Sequence, residues 1–316
     1  MTLKQIQALA IDLGIKNDLR GQTHVQKHLK RAKEKYNRLS KDQKDEFDEI
    51  KLTNPYSDSR ILNDTGKTAI KKVMAGIDVE GAELLLAKQL GDIDLVIAHH
   101  PEGRALADLH DVMNLQAEVL AQYGVPINIA ESVIKPRISE VSRGISPINH
   151  QRSVDIAKAL QLDFMCTHTV ADNMSATFIA KLLKKNQAKI ETVGEIIKLL
   201  KTIPEYKQAM KDGAGPRLFA GHEDASAGRI AVTEFTGGTS GSKDMYEKMS
   251  QAGIGTIIGM HMGEDHRKEA EKNHINVVIA GHMSSDSLGM NLFLDQLEKR
   301  GIKVVPISGL IRVKRK

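Results

Sequence analysis

From residue 69 onwards the chain alternates short apolar runs with stretches whose apolar residues recur every three or four positions. Short apolar runs are typical of buried strands, and the three-to-four spacing is typical of amphipathic helices. We predict strands over 69–78, 95–98, 125–130, 162–166, 229–233, 254–260, 275–280 and 303–307. We predict helices over 82–90, 108–123, 152–160, 174–183, 191–200, 243–252, 264–273 and 289–300. This strand–helix–strand order predicts parallel strands joined by right-handed crossovers.

The fold class that follows is α/β, with two related halves whose mostly parallel sheets are flanked by helices. The segments IDLVIAHHP near residue 95 and INVVIAGHM near residue 278 share a strand, Val-Ile-Ala and then His, which suggests related halves. We place the halves at roughly 65–185 and 225–316, within a body of 65–316. Residues 134–150 carry two prolines and are left unassigned.

Residues 1–64 are predicted to form a helical, charged N-terminal arm. Helical spacing covers 3–13 and 23–39, and six basic residues face one acidic residue between Lys27 and Arg38. The acidic stretch 42–49 could pair with this basic helix, and the polar, turn-rich stretch 54–64 predicts a linker. A basic helix could bind nucleic acid. A solvated or partner-packed helix is the alternative that we favour, so nucleic acid is not an expected partner.

Composition narrows the class of protein. The hydrophobic fraction of 41% is enough for a large core, which excludes global disorder. No apolar run approaches the roughly 20 residues of a spanning helix, and the N-terminus lacks a signal-peptide pattern, so we expect no membrane partner. The single cysteine, Cys166, excludes an internal disulfide framework and fits a cytoplasmic protein. The net charge of +5 comes from the basic helix and from the C-terminal residues Arg312, Lys314, Arg315 and Lys316.

Two adjacent histidines end the predicted strand 95–98. His99 and His100 are followed by Pro101, which stops the strand. Two imidazoles at a strand end face one cavity only if the backbone turns between them, because successive strand residues point to opposite faces. The carboxyl ends of strands in open α/β sheets are where ligands usually bind. We therefore predict a metal site here, and one hydrogen-bonded and one solvent-facing histidine remain the alternative.

Two further strand ends carry a histidine with an acid four residues later. His168 precedes Asp172, and His282 precedes Asp286. If a helix starts at each strand end, this spacing places both side chains on one face. Up to four histidines and two carboxylates are more than one zinc ion needs, which indicates two metals with a bridging carboxylate. For each pair alone, a helix cap and a core contact stay open as the alternative.

Two more segments could lie near this site. Glu264 follows another strand end together with His261, and it could orient a water or a histidine at the metals. An acid favoured at a helix N-terminus is the other interpretation of Glu264. The glycine-rich stretch 236–242 could cradle a phosphate or form a plain turn. Cys166 lies on an apolar strand and is interpreted as a buried filler.

The motifs VIAHHP, HTVAD and GHMSSD occur in this order across residues 69–312, and together they resemble the signatures of the Nif-three-like family. Members of this family are often described as type 2 GTP cyclohydrolase I homologues. The resemblance implies that His99, His100, Asp172, His282 and Asp286 bind metal. It implies that His168 supports a ligand without binding metal itself, and that Glu264 matches the acid of a Gly-acid step before the last motif. Family members carry Glu where this chain has Asp286, which leaves open whether one or two ions bind.

The resemblance also implies a function and an assembly. We expect a dinuclear metal-dependent hydrolase that acts on a GTP-like ring or a phosphoester, with Glu264 as the catalytic residue. The cofactors would be two divalent ions of zinc, iron, manganese, nickel or cobalt. A non-catalytic metal-handling or regulatory protein is the main alternative, and an adaptor that uses the basic arm and tail is a third. Family members form toroidal homo-oligomers, commonly hexamers, so we expect a homo-oligomer that could take a small-molecule substrate.

Overall fold

The structure is a computed structural model that describes residues 1–315. Its strands are β1 (Ile61–Asn63), β2 (Lys72–Gly76), β3 (Leu95–Ala98), β4 (Asp163–Cys166), β5 (Arg217–Ala220), β6 (Arg229–Glu234), β7 (Ile254–Gly259), β8 (Asn276–Ile279) and β9 (Lys303–Ile307). Its α-helices are α1 (Leu3–Lys16), α2 (Gln22–Asn37), α3 (Lys41–Asp45), α4 (Gly81–Leu90), α5 (Gly103–Ala107), α6 (Leu109–Val112), α7 (Asn114–Gln122), α8 (Ile127–Ile145), α9 (Arg152–Leu160), α10 (His168–Asn186), α11 (Val193–Leu200), α12 (Pro204–Lys211), α13 (Met245–Gln251), α14 (Glu264–Lys272) and α15 (His282–Glu298).

The strands form two sheets, as the α/β prediction requires. One sheet has the order β1-β4-β3-β2-β9, and the other has the order β5-β8-β7-β6. Only the edge strands β1 and β5 run antiparallel to their neighbours, and the remaining pairs are parallel. The predicted fold class of mostly parallel sheets flanked by helices is therefore confirmed. No helix within residues 1–315 is long and apolar enough to cross a membrane.

The two sheets are joined through helices α10 and α15. Each of these helices begins directly beyond a strand end, α10 after β4 and α15 after β8. They pack so closely that a methyl group on Gly289 of α15 would overlap the backbone carbonyl of Ala171 on α10. Because Asp172 follows Ala171 and Asp286 lies one turn before Gly289, this contact brings the two carboxylates together.

The region after β3 differs from the prediction. Residues 125–130, predicted as a strand, include the start of α8, and most of the unassigned stretch 134–150 continues this helix through Pro136. The buried positions Ala130, Ile134 and Val141 have helical spacing, but prolines at both ends of the apolar run obscured it. The sequence also gave no signal for the short helices α5 and α12 or for the edge strands β1 and β5. Edge strands are half-exposed, so their hydrophobic pattern is weak.

The predicted linker at 54–64 is not a linker. Asn54, Tyr56, Ser57, Asp58 and Ser59 are all buried, and β1 extends the first sheet immediately afterwards. The polar groups of this segment make internal hydrogen bonds, such as Tyr56 Oη to Asp18 Oδ2 at 2.8 Å. The segment is polar because it bonds to other parts of the chain rather than to water.

The charged N-terminal arm also packs more closely than its composition suggested. Leu3, Ile6 and Ala10 of α1 belong to the core cluster that includes α10 and α15. Within residues 1–315 the acidic stretch and the basic helix form no ion pair. Tyr36 Oη donates a hydrogen bond to Glu49 at 3.0 Å, and Asp48 pairs instead with Arg60 at 2.5 Å. The single ion pair of α2's lysines and arginines across residues 1–315 is Lys30–Glu34, within α2 itself. The domain boundary at residue 64 stays a prediction.

The basic C-terminus is built into the fold. Arg312 pairs with Asp295 and Glu298, and Arg315 pairs with the fully buried Glu205. Lys314 bonds to Glu298 at the surface, and Lys316 lies outside the described residues. The positive charge of Arg312, Lys314 and Arg315 is therefore neutralised by nearby carboxylates, so residues 312–315 do not form a free basic surface.

Candidate metal centre

The predicted turn after β3 exists and directs two imidazoles into one cavity. The backbone N–H of His99 donates to Gly76 O at 2.9 Å, and that of His100 donates to Ile77 O at 3.0 Å. The two ring centroids are only 5.2 Å apart, so the side chains do not alternate as they would along a strand. His99 is fully buried, whereas His100 is partly exposed.

The other two motifs meet these histidines. The ring of His168, the first residue of α10, lies 5.1 Å from the ring of His99. The ring of His282, the first residue of α15, lies 5.3 Å from the ring of His100. Asp172 and Asp286 stand one helical turn further along, as the four-residue spacing predicted. The structure thus brings three separated strand ends to a single site.

The distances between the side chains fit ligands around ions. His99 Nε2 lies 3.4 Å from Asp172 Oδ1 and 3.4 Å from Asp286 Oδ1. The Nε2 atoms of His100 and His282 each lie 3.5 Å from Asp286 Oδ2. Good hydrogen bonds between such groups are shorter, at roughly 2.7–3.2 Å. Two atoms that each lie about 2.1 Å from a tetrahedral ion are about 3.4 Å apart.

Several buried polar atoms of this cluster have no hydrogen-bond partner among the residues that the structure describes. They are both ring nitrogens of His99, Oδ1 of Asp172 and both carboxylate oxygens of Asp286. Leaving buried polar groups unpaired is costly, and native proteins rarely do so without a reason. Nitrogen and carboxylate oxygen donors suit divalent transition metals, so the residues present fit such ions.

The pKa shifts differ between members of the cluster: burial opposes the charged form of His100, but Asp286 and Asp78 raise the pKa of His100 to about 9. Burial raises the pKa of Asp172, and the negative charges of Asp286 and Asp58 raise it further. Burial also opposes ionisation of Asp286, but His99 and His100 hold the pKa of Asp286 well below its usual range. Burial lowers the pKa of His99 and lowers the pKa of His282 to about 4, which favours the neutral imidazole that binds metal. A cation between them would stabilise both carboxylates in the charged form.

Two aspartates outside the cluster orient its histidines. Asp78 Oδ1 lies 2.6 Å from His100 Nδ1, and Asp58 Oδ2 lies 2.8 Å from His168 Nδ1. Such contacts fix each ring so that Nε2 faces the centre of the cluster. Sequence reasoning missed both residues. Asp78 was detectable, because it is an acid just beyond β2, whereas no spacing rule connects Asp58 with position 168.

His168 is placed among the candidate ligands. One nitrogen from each of His99, His100 and His168 lies within 4.8 Å of the other two. Its Nε2 is also 3.7 Å from Asp172 Oδ2. The supporting role that the resemblance implied for His168 stays a prediction, and its position allows either role.

Glu264 does not join the cluster. Its side chain is exposed at the start of α14, where Arg267 donates two hydrogen bonds of 2.8 Å to the carboxylate. The ring of His261, three residues earlier, does lie beside the site, 4.7 Å from the ring of His282. The glycine-rich loop contributes Thr236, Gly238, Thr239 and Ser240 to the wall of the same cavity.

Comparison with solved structures identifies the family. A crystal structure of a NIF3 superfamily protein from Sphaerobacter thermophilus is 30% identical, with a TM-score of 0.74, and the match covers 80% of this chain and 92% of that one. Reduced HcgD from Methanocaldococcus jannaschii is 14% identical over 75% and 83% of the two chains, with a TM-score of 0.48. TTHA1606 from Thermus thermophilus is 14% identical over 80% and 90%, with a TM-score of 0.46. No protein-family model and no curated protein matches. On the first of these matches, over nearly the whole of the relative, the chain belongs to the NIF3 superfamily.

Proposed function

We propose that this cluster binds two divalent metal ions and that Asp286 bridges them. His99, Asp172 and Asp286 form one group of donor atoms within 4.8 Å of one another, and His100, His282 and Asp286 form another. Asp286 belongs to both groups, with Oδ1 beside His99 and Oδ2 beside His100 and His282. This division of its two oxygens between two donor groups is the observation that carries the proposal. Zinc, iron, manganese, nickel and cobalt all suit the donors.

We further propose that the protein is a metal-dependent hydrolase. Two such ions, when bound, polarise a substrate oxygen and lower the pKa of water enough to make it a nucleophile near neutral pH. The surrounding residues exclude water from the site, border its opening and hold the imidazole rings in place. His99, Asp172 and Asp286 keep bulk water from one side of the site because they are buried, while the partly exposed His100 and His282 border the open side. Asp78 holds the ring of His100 in place, and His261 presents a further imidazole to an incoming substrate.

The test combines metal content with turnover. The protein would be loaded with zinc or manganese and assayed against phosphodiesters, GTP and cyclic amides, beside His99→Ala and the exposed control His222→Ala. We expect hydrolysis that is lost in His99→Ala and retained in His222→Ala. Stoichiometric metal without turnover on any substrate would overturn the hydrolase and favour the metal-handling alternative, while absence of metal would overturn both.

We also propose that the protein assembles with itself and works in the reducing cytoplasm. Support for assembly comes from α4, where Leu85, Leu86 and Leu90 are exposed on one short helix, because exposed apolar patches often mark interfaces. Support for the compartment is the single thiol of Cys166, which is buried. Light scattering would report the mass, a ring of six being the expectation, and Leu85→Glu with Leu90→Glu should release monomers. A monomeric parent protein would overturn the assembly.

A further inference from the structure

A narrow cavity beside the cluster is bounded on its far side by the end of β6 and by the glycine-rich loop. His282 and Asp286 border it on the cluster side, and Glu234 and Gln116 border it on the other. Its lining contains no lysine and no arginine. Apart from bound ions, the protein therefore offers no fixed positive charge to a ligand in this cavity.

Glu234 supplies a carboxyl group that no cation neutralises directly. It is the last residue of β6 and is half-buried. Burial raises its pKa to about 7, although the N–H of Gly241 and the charge of Arg137 act in the opposite direction. Arg137 itself is engaged elsewhere, because it donates to Ser240 O at 3.1 Å and pairs with Glu140 at 2.9 Å. The Glu234 carboxyl thus has no ion-pair partner among the described residues.

Gln116 adds a second acceptor to the same wall. Its Nε2 donates to Gly237 O at 2.8 Å and to Thr239 O at 2.6 Å, which fixes the orientation of the amide. With both hydrogens used, Oε1 remains, and this buried atom has no hydrogen-bond partner within residues 1–315. The amide that holds the glycine-rich loop therefore leaves an acceptor available.

We propose that the ligand held against the cluster carries adjacent N–H donors, as a cyclic amide or amidine does, and that Glu234 recognises them. This inference rests on the proposed function and names the substrate class of that site. A carboxylate accepts two N–H groups at once from a planar amidine-type edge, in the same fork that it forms with a guanidinium. A phosphate group presents only acceptors and negative charge, so it would be repelled by Glu234 and left unpaired at Gln116.

Bound ions and Glu234 would therefore have different roles within the site. Ions held by the cluster would polarise the oxygen of the bond to be hydrolysed, and Glu234 selects the N–H-bearing group attached to that bond. Glu234 is thus a binding residue that discriminates between two substrate classes, N–H heterocycles or amides and phosphate esters. Loss of the Glu234 carboxylate should have a larger effect on ligand selectivity than on metal stoichiometry.

The test measures binding, so that it does not depend on turnover. Isocytosine, a neutral ring with adjacent ring N–H and amino donors, and inorganic phosphate would be titrated calorimetrically at pH 8 into metal-free and zinc-loaded protein. Glu234→Gln would be compared with the parent and with Glu247→Gln, an exposed control on α13. Thermal unfolding would verify that each variant folds, and Glu234→Asp would replace any variant that does not.

We expect isocytosine to bind the parent protein and to bind Glu234→Gln at least ten-fold more weakly, since a charged hydrogen bond is lost. Phosphate should bind weakly to the parent and no more weakly to Glu234→Gln. Isocytosine binding that is absent, equal in the variant, or weaker than that of phosphate would overturn the proposal. Metal analysis of the same samples separates the two ideas: protein that takes up no zinc but binds isocytosine through Glu234 contradicts only the metal function.

Discussion

Two regions of this protein bury acids and bases together, and they do so in opposite ways. Near the C-terminus, Arg315 donates hydrogen bonds of 2.6 and 2.7 Å to the buried Glu205, and Arg312 donates one of 2.6 Å to Asp295. In the candidate metal centre, the imidazoles and carboxylates stand 3.4–3.7 Å apart, and several of their atoms have no hydrogen-bond partner among residues 1–315. The carboxylates of the first set are paired directly, although Arg312 Nε is buried without a hydrogen-bond partner among the described residues, whereas the second set leaves a gap at its centre.

The two regions differ in the distance between acid and base and in the base itself, which is arginine in the structural ion network and histidine in the candidate binding site. Direct contact neutralises each charge and connects Arg312 to α15 and Arg315 to α12. A gap just beyond hydrogen-bond length fits ions about 2.1 Å from each donor. The predictions below test this contrast.

The largest effect is expected in the ion network around Glu205. Glu205→Ala would leave Arg315 without its buried partner, and breaking such a pair costs about 3–5 kcal/mol in the free energy of unfolding. Denaturant unfolding should show this loss, while metal content stays unchanged. Glu131→Ala, at an exposed position of α8, is the control. An equal effect of the two substitutions would contradict a structural role for the network.

Asp286→Ala should have the converse effect. Both proposed ions share this carboxylate, so metal analysis should fall from two equivalents to one or none, with affinity reduced about 100-fold or more. The metal-free protein should fold as well as the parent, because Asp286 makes no hydrogen bond that its removal would break. Asp12→Ala on α1 controls for the lost charge. Unchanged stoichiometry would refute the bridging role.

Asp58→Asn should have an intermediate effect. It weakens the contact that orients His168, and losing such a support typically lowers metal affinity about 10–100-fold. Zinc titration against a competing chelator measures the change. An unaltered zinc affinity would mean that His168 does not take part in holding the ions.

The smallest effect is expected at Glu264. Its carboxylate is exposed and bonded to Arg267, outside the cavity wall. Glu264→Gln should therefore leave zinc stoichiometry and hydrolysis at parental values. A clear loss of turnover with metal retained would restore the catalytic role that its position in the sequence suggested.

The elements that local pattern predicts best are those that carry the site. His99 and His100 directly follow β3, His282 begins the helix after β8, and Asp172 and Asp286 lie one turn into the helices after β4 and β8, positions that local pattern and strand order predict. The meeting of the two sheets depends on the contact between α10 and α15, which local pattern does not predict. Asp58 could not be found in this way, because its partner lies 110 positions away. The helix α8 was missed because Pro136, which usually ends a helix, lies inside it. Local rules fail where a long-range contact decides the conformation.

The close contact at Gly289 has a consequence for how such a centre could be tuned. The spacing of the two acidic side chains is set by backbone meeting backbone in the interior, between Ala171 and Gly289, and not by any mobile loop. A methyl group added at Gly289 would push α10 and α15 apart. The gap between the carboxylates of Asp172 and Asp286 would widen, although no donor atom would change. The affinity of the site for an ion would therefore depend on Gly289, a residue that has no side chain to bind it.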